Sequence, residues 1–195
     1  MVALASLRPG ESLGDFEIER RLGRGSFKEV YAARNRAAAS NGWPERVALC
    51  LPHVQDGEAR TLLENEMDVV RTLKHPGIVQ WFAVIEVEHE EGQAVFFAIS
   101  ELVDGTSLCA LLKERGALPF PEVVEIVEQV GAALDFAHEG LAIHRDIKPA
   151  NLICCTDGRI KILDFGTARL LTHSLYLARS RVGTFAYMAP EQFAG

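Results

Sequence analysis

The chain has 195 residues with 48% apolar and 24% charged residues and a formal net charge of −7, the balance of a globular protein able to bury a core. The acidic balance argues against nonspecific nucleic-acid binding, for which a basic stripe is expected, and no run of about twenty apolar residues offers a bilayer span. Met1 to Leu7 is apolar but short, lacks a basic start and runs into Arg8-Pro9-Gly10; that is not a signal peptide, so a cytoplasmic location is expected. In chain order, 16–24 and 28–33 read as two strands around a tight glycine turn, and 46–51 as a third strand after a loose Ala/Ser/Asn/Gly loop. Leu62, Leu63, Met67, Val70 and Leu73 recur at helical spacing over 58–73, and His75-Pro76-Gly77 ends that pattern. Segments 78–87 and 94–100 are strand-like around the polar turn 88–93.

Beyond Glu101 the pattern turns helical. A helix is expected over 107–114, ending near Gly116, and a longer one over 121–138, closed by Gly140. A small hairpin then turns at Thr156-Asp157-Gly158, and 160–163 forms a strand. Cys50, Cys109, Cys154 and Cys155 lack the paired short spacings of zinc sites and read as buried free thiols.

Four motifs carry the chemistry, in order. Leu22-Gly23-Arg24-Gly25-Ser26-Phe27-Lys28-Glu29-Val30 is a glycine-rich loop, and His144-Arg145-Asp146-Ile147-Lys148-Pro149-Ala150-Asn151 a polar loop rich in titratable groups. Asp164-Phe165-Gly166 and Ala189-Pro190-Glu191 bracket a further segment. A lone pair of glycines would be weak, but arginine, aspartate, lysine and asparagine at this spacing, followed by a metal-type aspartate, are specific. From about Phe16 to Gly195 the chain resembles the eukaryotic-type protein kinases.

The resemblance implies an α+β, bilobal protein-kinase-like fold: a five-stranded antiparallel N-lobe sheet with one main helix, and a partial, mostly helical C-lobe. Residues 1–15 are expected as an N-terminal extension, 16–100 as the N-lobe and 101–195 as hinge and partial C-lobe. The family continues past this point with several helices, so a fragment or a degenerate gene product is expected. The implied function is ATP-dependent phosphoryl transfer to serine or threonine hydroxyls of a protein substrate, with Mg²⁺. The alternative is a pseudokinase that binds nucleotide or partners without transfer.

By resemblance, Asp146 orients the acceptor hydroxyl, Lys148 steadies the transferring phosphate, and Asn151 with Asp164 holds Mg²⁺ through hard oxygen donors. Lys148-Pro149 and Thr184 fit the serine/threonine class, Thr184 bonding the catalytic aspartate and lysine. Gly23, Gly25, Ser26 and Phe27 belong to the phosphate loop. Leu22, Val30, Ala48 and Leu152 are implied to cover adenine, Ser100 is the gatekeeper, and Glu101 and Val103 meet adenine through backbone groups. Each apolar member reads equally well as core.

The run Val47-Ala48-Leu49-Cys50 ends in cysteine where the family has its phosphate-gripping lysine. Residues two apart in a strand share a face, so Ala48 and Cys50 point together, as do Lys28 and Val30. With Ala48 and Val30 assigned to adenine, Cys50 and Lys28 both project toward the nucleotide. Among Lys28, Lys74, Lys113, Lys148 and Lys161, only Lys28 reaches the phosphates from the N-lobe. It replaces the third glycine of GxGxxG, and with Cys50 this resembles the with-no-lysine kinases; drift in a dying site is the other reading. The Asp-Phe-Gly form departs from that group's leucine, so chloride sensing is not carried over, and 184–192 has a bacterial style. Glu66 is either the helix glutamate that pairs with Lys28 or a solvated carboxylate. Val70, His144 and Phe165 resemble the stack that links the lobes. Arg145 implies control by a phosphate on the activation segment, with Ser180 the candidate and Thr172 and Ser174 weaker ones; solvent-facing serine is the bland alternative.

Overall fold

A computed structural model describes residues 2–3, 6–25, 27–89, 92–165, 169–170 and 184–194. The chain forms two compact units, Met1–Asp68 with Gln80–Leu102, and Val69–Val79 with Val103–Gly195.

The first unit begins with β1 (Val2–Ala3), β2 (Ser12–Leu13), β3 (Phe16–Arg24) and β4 (Lys28–Asn35). After the short helix α1 (Ala38–Asn41) come β5 (Arg46–Pro52), β6 (Val54–Gln55), the main helix α2 (Gly57–Val70), β7 (Trp81–His89) and β8 (Gln93–Glu101). The principal sheet is antiparallel with order β2-β3-β4-β5-β8-β7. It therefore has six strands rather than the expected five. The extra strand β2 folds back at Gly14-Asp15, pairing Leu13 with Phe16; Gly14 has φ 54°, open to glycine in a two-residue hairpin turn. Residues 6–13 are thus built into the first unit instead of extending from it.

Alternation assigns the faces of this sheet. Phe16, Ile18, Tyr31, Ala33, Val47, Leu49, Leu51, Val95, Phe97 and Ile99 form one apolar core with Leu7 and Leu13. The intervening residues Lys28, Val30, Ala48 and Cys50 belong to the opposite face. At the start of α2, Asp56 Oδ1 accepts the Ala59 N–H at 2.9 Å, the usual work of an N-cap. The helix stops at Val70, short of the expected Leu73. There Thr72 Oγ1 donates to Val69 O and Leu73 N to Val70 O, three-residue links that tighten the last turn.

The second unit contains β9 (Gly105–Ser107), α3 (Leu108–Arg115), α4 (Phe120–Glu139) and β10 (Ala142–Ile143). A 3₁₀ turn, Pro149–Asn151, precedes β11 (Leu152–Cys155), β12 (Ile160–Ile162), β13 (Arg169–Leu170), a second 3₁₀ turn Phe185–Tyr187, and α5 (Pro190–Ala194). Ser107 caps α3, accepting the Ala110 N–H at 3.2 Å, and Gly116 closes it at a positive φ of 73°, its N–H donating to Leu112 O. The three-stranded sheet runs β12-β11-β9. A Cβ on Gly105 would lie 2.4 Å from Cys154 O, so only glycine permits the β9–β11 approach.

Segment 78–79, expected to open a strand of the N-lobe sheet, belongs to the second unit. Val79 N donates to Ile162 O at 3.0 Å and Ile162 N to Gly77 O at 2.8 Å, which pins it to β12 and delays β7 until Trp81. The four cysteines are free, but only Cys50 is buried; Cys109, Cys154 and Cys155 are half-buried. Cys109 lies on α3, and Cys154 and Cys155 lie on β11, the central strand of the three-stranded sheet, where each side chain stays partly open to water. Among the described residues no helix is long and apolar enough to cross a membrane.

Candidate active site

In the first unit, β3 and β4 are joined by the glycine-rich loop. Gly25 N donates to Lys28 O at 2.8 Å, and His53 N donates to Phe27 O at 2.8 Å. His53 Nε2 lies 2.9 Å from Gly25 O; a carbonyl can only accept, so this nitrogen carries the proton. Lys28 opposes Pro52, Val30 opposes Cys50 and Ala32 opposes Ala48, while Ala48 opposes Ser100 and Cys50 opposes Ala98. The expected face of Lys28, Val30, Ala48 and Cys50 therefore exists as a contiguous patch of ladder positions, and the β5–β8 register adds Ser100 to it. Ala48, Cys50 and Ser100 are buried. Leu22 and Phe27 are exposed, at 38% and 84%, and Gly23 and Gly25 are exposed too.

Lys28 Nζ lies 3.1 Å from Glu66 Oε2 and 3.3 Å from Oε1. Glu66 is therefore no solvated helix carboxylate: its side chain is 5% exposed, against 18% for Lys28. Lys28 Nζ also stands 5.2 Å from the Trp81 ring centroid, within cation–π range. Trp81 escapes sequence reasoning because its approach depends on the β7–β8 register, not on local spacing. Glu101 is tied to the start of β7: its N–H donates to Gln80 O at 2.9 Å and its Oε1 accepts from Gln80 N at 2.7 Å.

In the second unit the loop 144–151 is built around a buried histidine. The backbone N–H of Asp146 donates to His144 Nδ1 at 3.2 Å, and His144 Nε2 faces Leu163 O at 2.8 Å. Nδ1 accepts, so the proton sits on Nε2 and the ring is neutral. Burial pushes His144 below its usual range, against the Leu163 hydrogen bond and the charges of Asp164 and Asp146. Its ring lies 4.6 Å from that of Phe165, as expected for two members of the stack; Val70 is buried. Arg145 and Asp164 adopt φ of 70° and 61°, a conformation costly for side-chain-bearing residues and typical of sites where geometry is over-determined.

Asp146 is the hub. Lys148 Nζ lies 2.7 Å from Asp146 Oδ2 and 2.6 Å from Thr184 Oγ1. Thr184 donates from both its N–H and its hydroxyl to Asp146 Oδ1, each at 2.9 Å. Burial alone would raise the Asp146 carboxyl, but hydrogen bonds from Lys148 and Thr184 and the lysine charge outweigh it and hold the group below its ordinary value. At neutral pH it is a carboxylate that accepts hydrogen bonds. Asn151 Nδ2 donates to Asp146 O at 2.9 Å and approaches Oδ2 at 3.3 Å. The β11–β12 hairpin pairs Leu152 with Ile162, and Leu163 N donates to Asn151 O at 2.8 Å, which sets Asn151 beside the strand leading into Asp164. Gln192 bridges the ends: its Nε2 donates to Arg145 O at 2.8 Å and its Oε1 accepts from Ala189 N at 3.0 Å.

The protein kinase domain matches residues 16–195 of this chain. The chain belongs to the protein kinase domain family. Serine/threonine-protein kinase PknF of Mycobacterium tuberculosis is 38% identical over 200 residues, 97% of this chain and 40% of that protein. PknD of the same organism is 37% identical over 192 residues, 95% of this chain and 27% of that protein. The crystal structure of a mutant Mycobacterium tuberculosis PknI kinase domain superposes with a TM-score of 0.66 at 31% identity, over 83% of this chain and 63% of that one. The chain thus spans less than half the length of the curated relatives.

Protein kinases use ATP and Mg²⁺, and the donor set fits that ion. Asn151 commits its amide nitrogen to Asp146, leaving oxygen as its ligating atom, and Asp164 supplies a carboxylate; Mg²⁺ takes hard oxygen donors and keeps several waters. Val103 and Leu152 belong to the second unit, Leu152 buried and Val103 half-buried. Ser26, Thr172, Ser174 and Ser180 lie outside the described residues. Sequence reasoning missed His53, Trp81, Glu29 and the role of Gln192; each acts through a hydrogen bond or contact to a residue remote along the chain.

Proposed function

We propose that this chain transfers the terminal phosphoryl group of ATP to serine or threonine hydroxyls of a protein substrate, with Lys28 as the cation that holds the ATP phosphates in place of a lysine at Cys50. The observation that carries the relocated lysine is its contact with both oxygens of buried Glu66. That carboxylate orients the ammonium, and Cys50 is the diagonal neighbour of Lys28 on the same sheet face. The arrangement supports the likeness to with-no-lysine kinases by geometry at this one position.

The chemistry is positioning and charge stabilisation, since phosphoryl transfer asks little covalent work of the protein. Asp146, ionised and held by Thr184 and Lys148, accepts a hydrogen bond from the substrate hydroxyl and aligns it. Lys148 offsets charge on the transferring phosphoryl group. Asn151 and Asp164 hold Mg²⁺, which when bound neutralises phosphate charge. In the first unit Leu22, Val30, Ala48, Ser100 and Glu101 serve adenine and Gly23, Gly25, Ser26 and Phe27 the phosphates; in the second, Val103 and Leu152 serve adenine. Ser180 is the proposed phosphorylation site, acting through Arg145.

The test is incubation of the full-length protein with Mg²⁺ and ATP, followed by detection of phosphoserine and phosphothreonine. Transfer is expected in the wild type and absent in Asp146→Asn. Nucleotide binding without transfer in the wild type would make the protein a binding module instead.

A further inference from the structure

Directly beside Lys28, but on the opposite face of β4, stands a buried carboxylate that the phosphoryl-transfer chemistry does not use. Glu29 is 5% exposed and Tyr31 1%. Glu29 receives a short hydrogen bond from the Tyr31 hydroxyl, one from Ser6 Oγ at 3.0 Å, and ion pairs from Arg21 at 3.3 Å and Arg24 at 3.4 Å. The Tyr31 oxygen in turn accepts the Leu7 N–H at 3.0 Å. Burial would push the Glu29 carboxyl up, yet the bonds from Tyr31 and Ser6 and the charges of Arg24 and Arg21 keep it below its ordinary value.

The position of this cluster gives it leverage. Arg24 and Glu29 are cross-strand partners at the foot of the loop 25–27, and Arg21 opposes Tyr31 two pairings along the same ladder. The N-terminal segment reaches the loop by a second route as well. Val2 and Ala3 pair with Gln55 and Val54, immediately after His53, which holds Phe27 O and Gly25 O. Residues 2–3 and 6–7 therefore reach the glycine-rich hairpin by two routes, through the β1–β6 pairing next to His53 and through Glu29 and Tyr31. Ser6 is itself exposed, so the segment's outermost bond is open to solvent and to modification.

We propose that Glu29 is a positioning residue for the glycine-rich hairpin, latched by the N-terminal segment through Ser6, Leu7 and Tyr31, and that negative charge placed at Ser6 opens the latch and weakens ATP binding. The effect on ATP rests on the kinase reading above; the latch itself does not. A second carboxylate or phosphate within hydrogen-bond reach of buried Glu29 meets like charge in a poorly solvated site, where repulsion is strong. Tyr31 and Arg21 then hold Glu29 without the strap, and the hairpin that carries Lys28 gains freedom.

The experiment compares full-length wild type, Ser6→Thr, Ser6→Glu and Glu29→Gln. Hydrogen exchange is followed at the amides of 22–31, together with titration of a fluorescent ATP analogue with Mg²⁺ and the separate kcat and KM for ATP. Ser6→Thr keeps the hydroxyl and should match wild type. Ser6→Glu and Glu29→Gln should speed exchange in the hairpin and raise the KM for ATP by about tenfold, the equivalent of one hydrogen bond to a charged group. The kcat should hold, because Asp146, Lys148 and Thr184 are untouched. Ser6→Glu, at an exposed position, keeps the test intact where Glu29→Gln fails to fold. Unchanged hairpin exchange in Ser6→Glu, or faster exchange with unchanged KM, overturns the proposal, as does a parallel fall of kcat with stability. A wild type that binds no nucleotide overturns the kinase reading, and hairpin exchange alone then decides the latch.

Discussion

Replacing Lys28 by methionine, alone and together with Glu66→Met, separates a phosphate-holding cation from a merely structural partner of Glu66. Lys28 Nζ contacts both Glu66 oxygens, and the glutamate side chain is 5% exposed. Removing one member of a fully buried pair costs about 3–5 kcal/mol, because the other charge is left desolvated. Lys28 is 18% exposed, so water relieves part of that cost and about 2 kcal/mol is expected. For a protein of this size that lowers the melting temperature by roughly 4–8 °C. Adding Glu66→Met removes the orphaned charge and supplies an apolar side chain of similar volume, so the double variant should return to within about 1 kcal/mol of wild type. Activity should behave differently: loss of a charge that stabilises the phosphates costs about 10²–10³-fold or more in kcat, and the double variant should stay as inactive as the single. Calorimetry and Mg²⁺/ATP autophosphorylation on the same preparations decide it. Recovery of turnover together with stability in the double variant, or full turnover in Lys28→Met, would refute the relocated lysine.

Cys50→Ala removes only a small buried group, so turnover should stay within about twofold of wild type, with a stability loss of about 1 kcal/mol, read from urea midpoints and steady-state rates. Thr184→Val deletes the hydroxyl that accepts from Lys148 and donates to Asp146; kcat should fall about 10–100-fold with KM for ATP unchanged, while Thr184→Ser restores it. His144 is held neutral by burial, its pKa lowered from 6.5, so the unfolded chain takes up a proton that the native state refuses. The resulting stability is complete above pH 6.5 and is lost as pH falls below it; the urea midpoint should drop between pH 7 and 5, and His144→Gln should flatten that slope. A flat wild-type profile would remove His144 as the cause.

Strand alternation was enough to put Lys28 with Val30 and Ala48 with Cys50, because side-chain direction in a strand is set by parity; the resemblance that assigned Val30 and Ala48 to adenine then joined the two pairs on one face. The helices α3 and α4 were legible from their caps, Ser107 and Gly116 among them, which act through bonds to residues three or four away. The sixth strand was not, since a two-residue strand has too few positions to show a period. Nor was the assignment of 77–79, whose apolar residues suit any strand; their partner in β12 lies more than eighty residues on.

The glycine-rich loop, the loop around Asp146 and the missing lysine were determined by the sequence itself, as contiguous runs whose residue types carry the chemistry. Tertiary structure decided which groups those runs meet. Glu66 lies 38 residues from the lysine it contacts, Thr184 lies 38 from Asp146, and Ser6 lies 23 from Glu29. Such meetings depend on how strands pair and helices dock, with β3 shifting register twice along β4, and no local period encodes them. The burial that turns Glu29 into a latch and His144 into a neutral donor is likewise a property of the assembled layers, because desolvation is a sum over neighbours that the chain brings together only on folding.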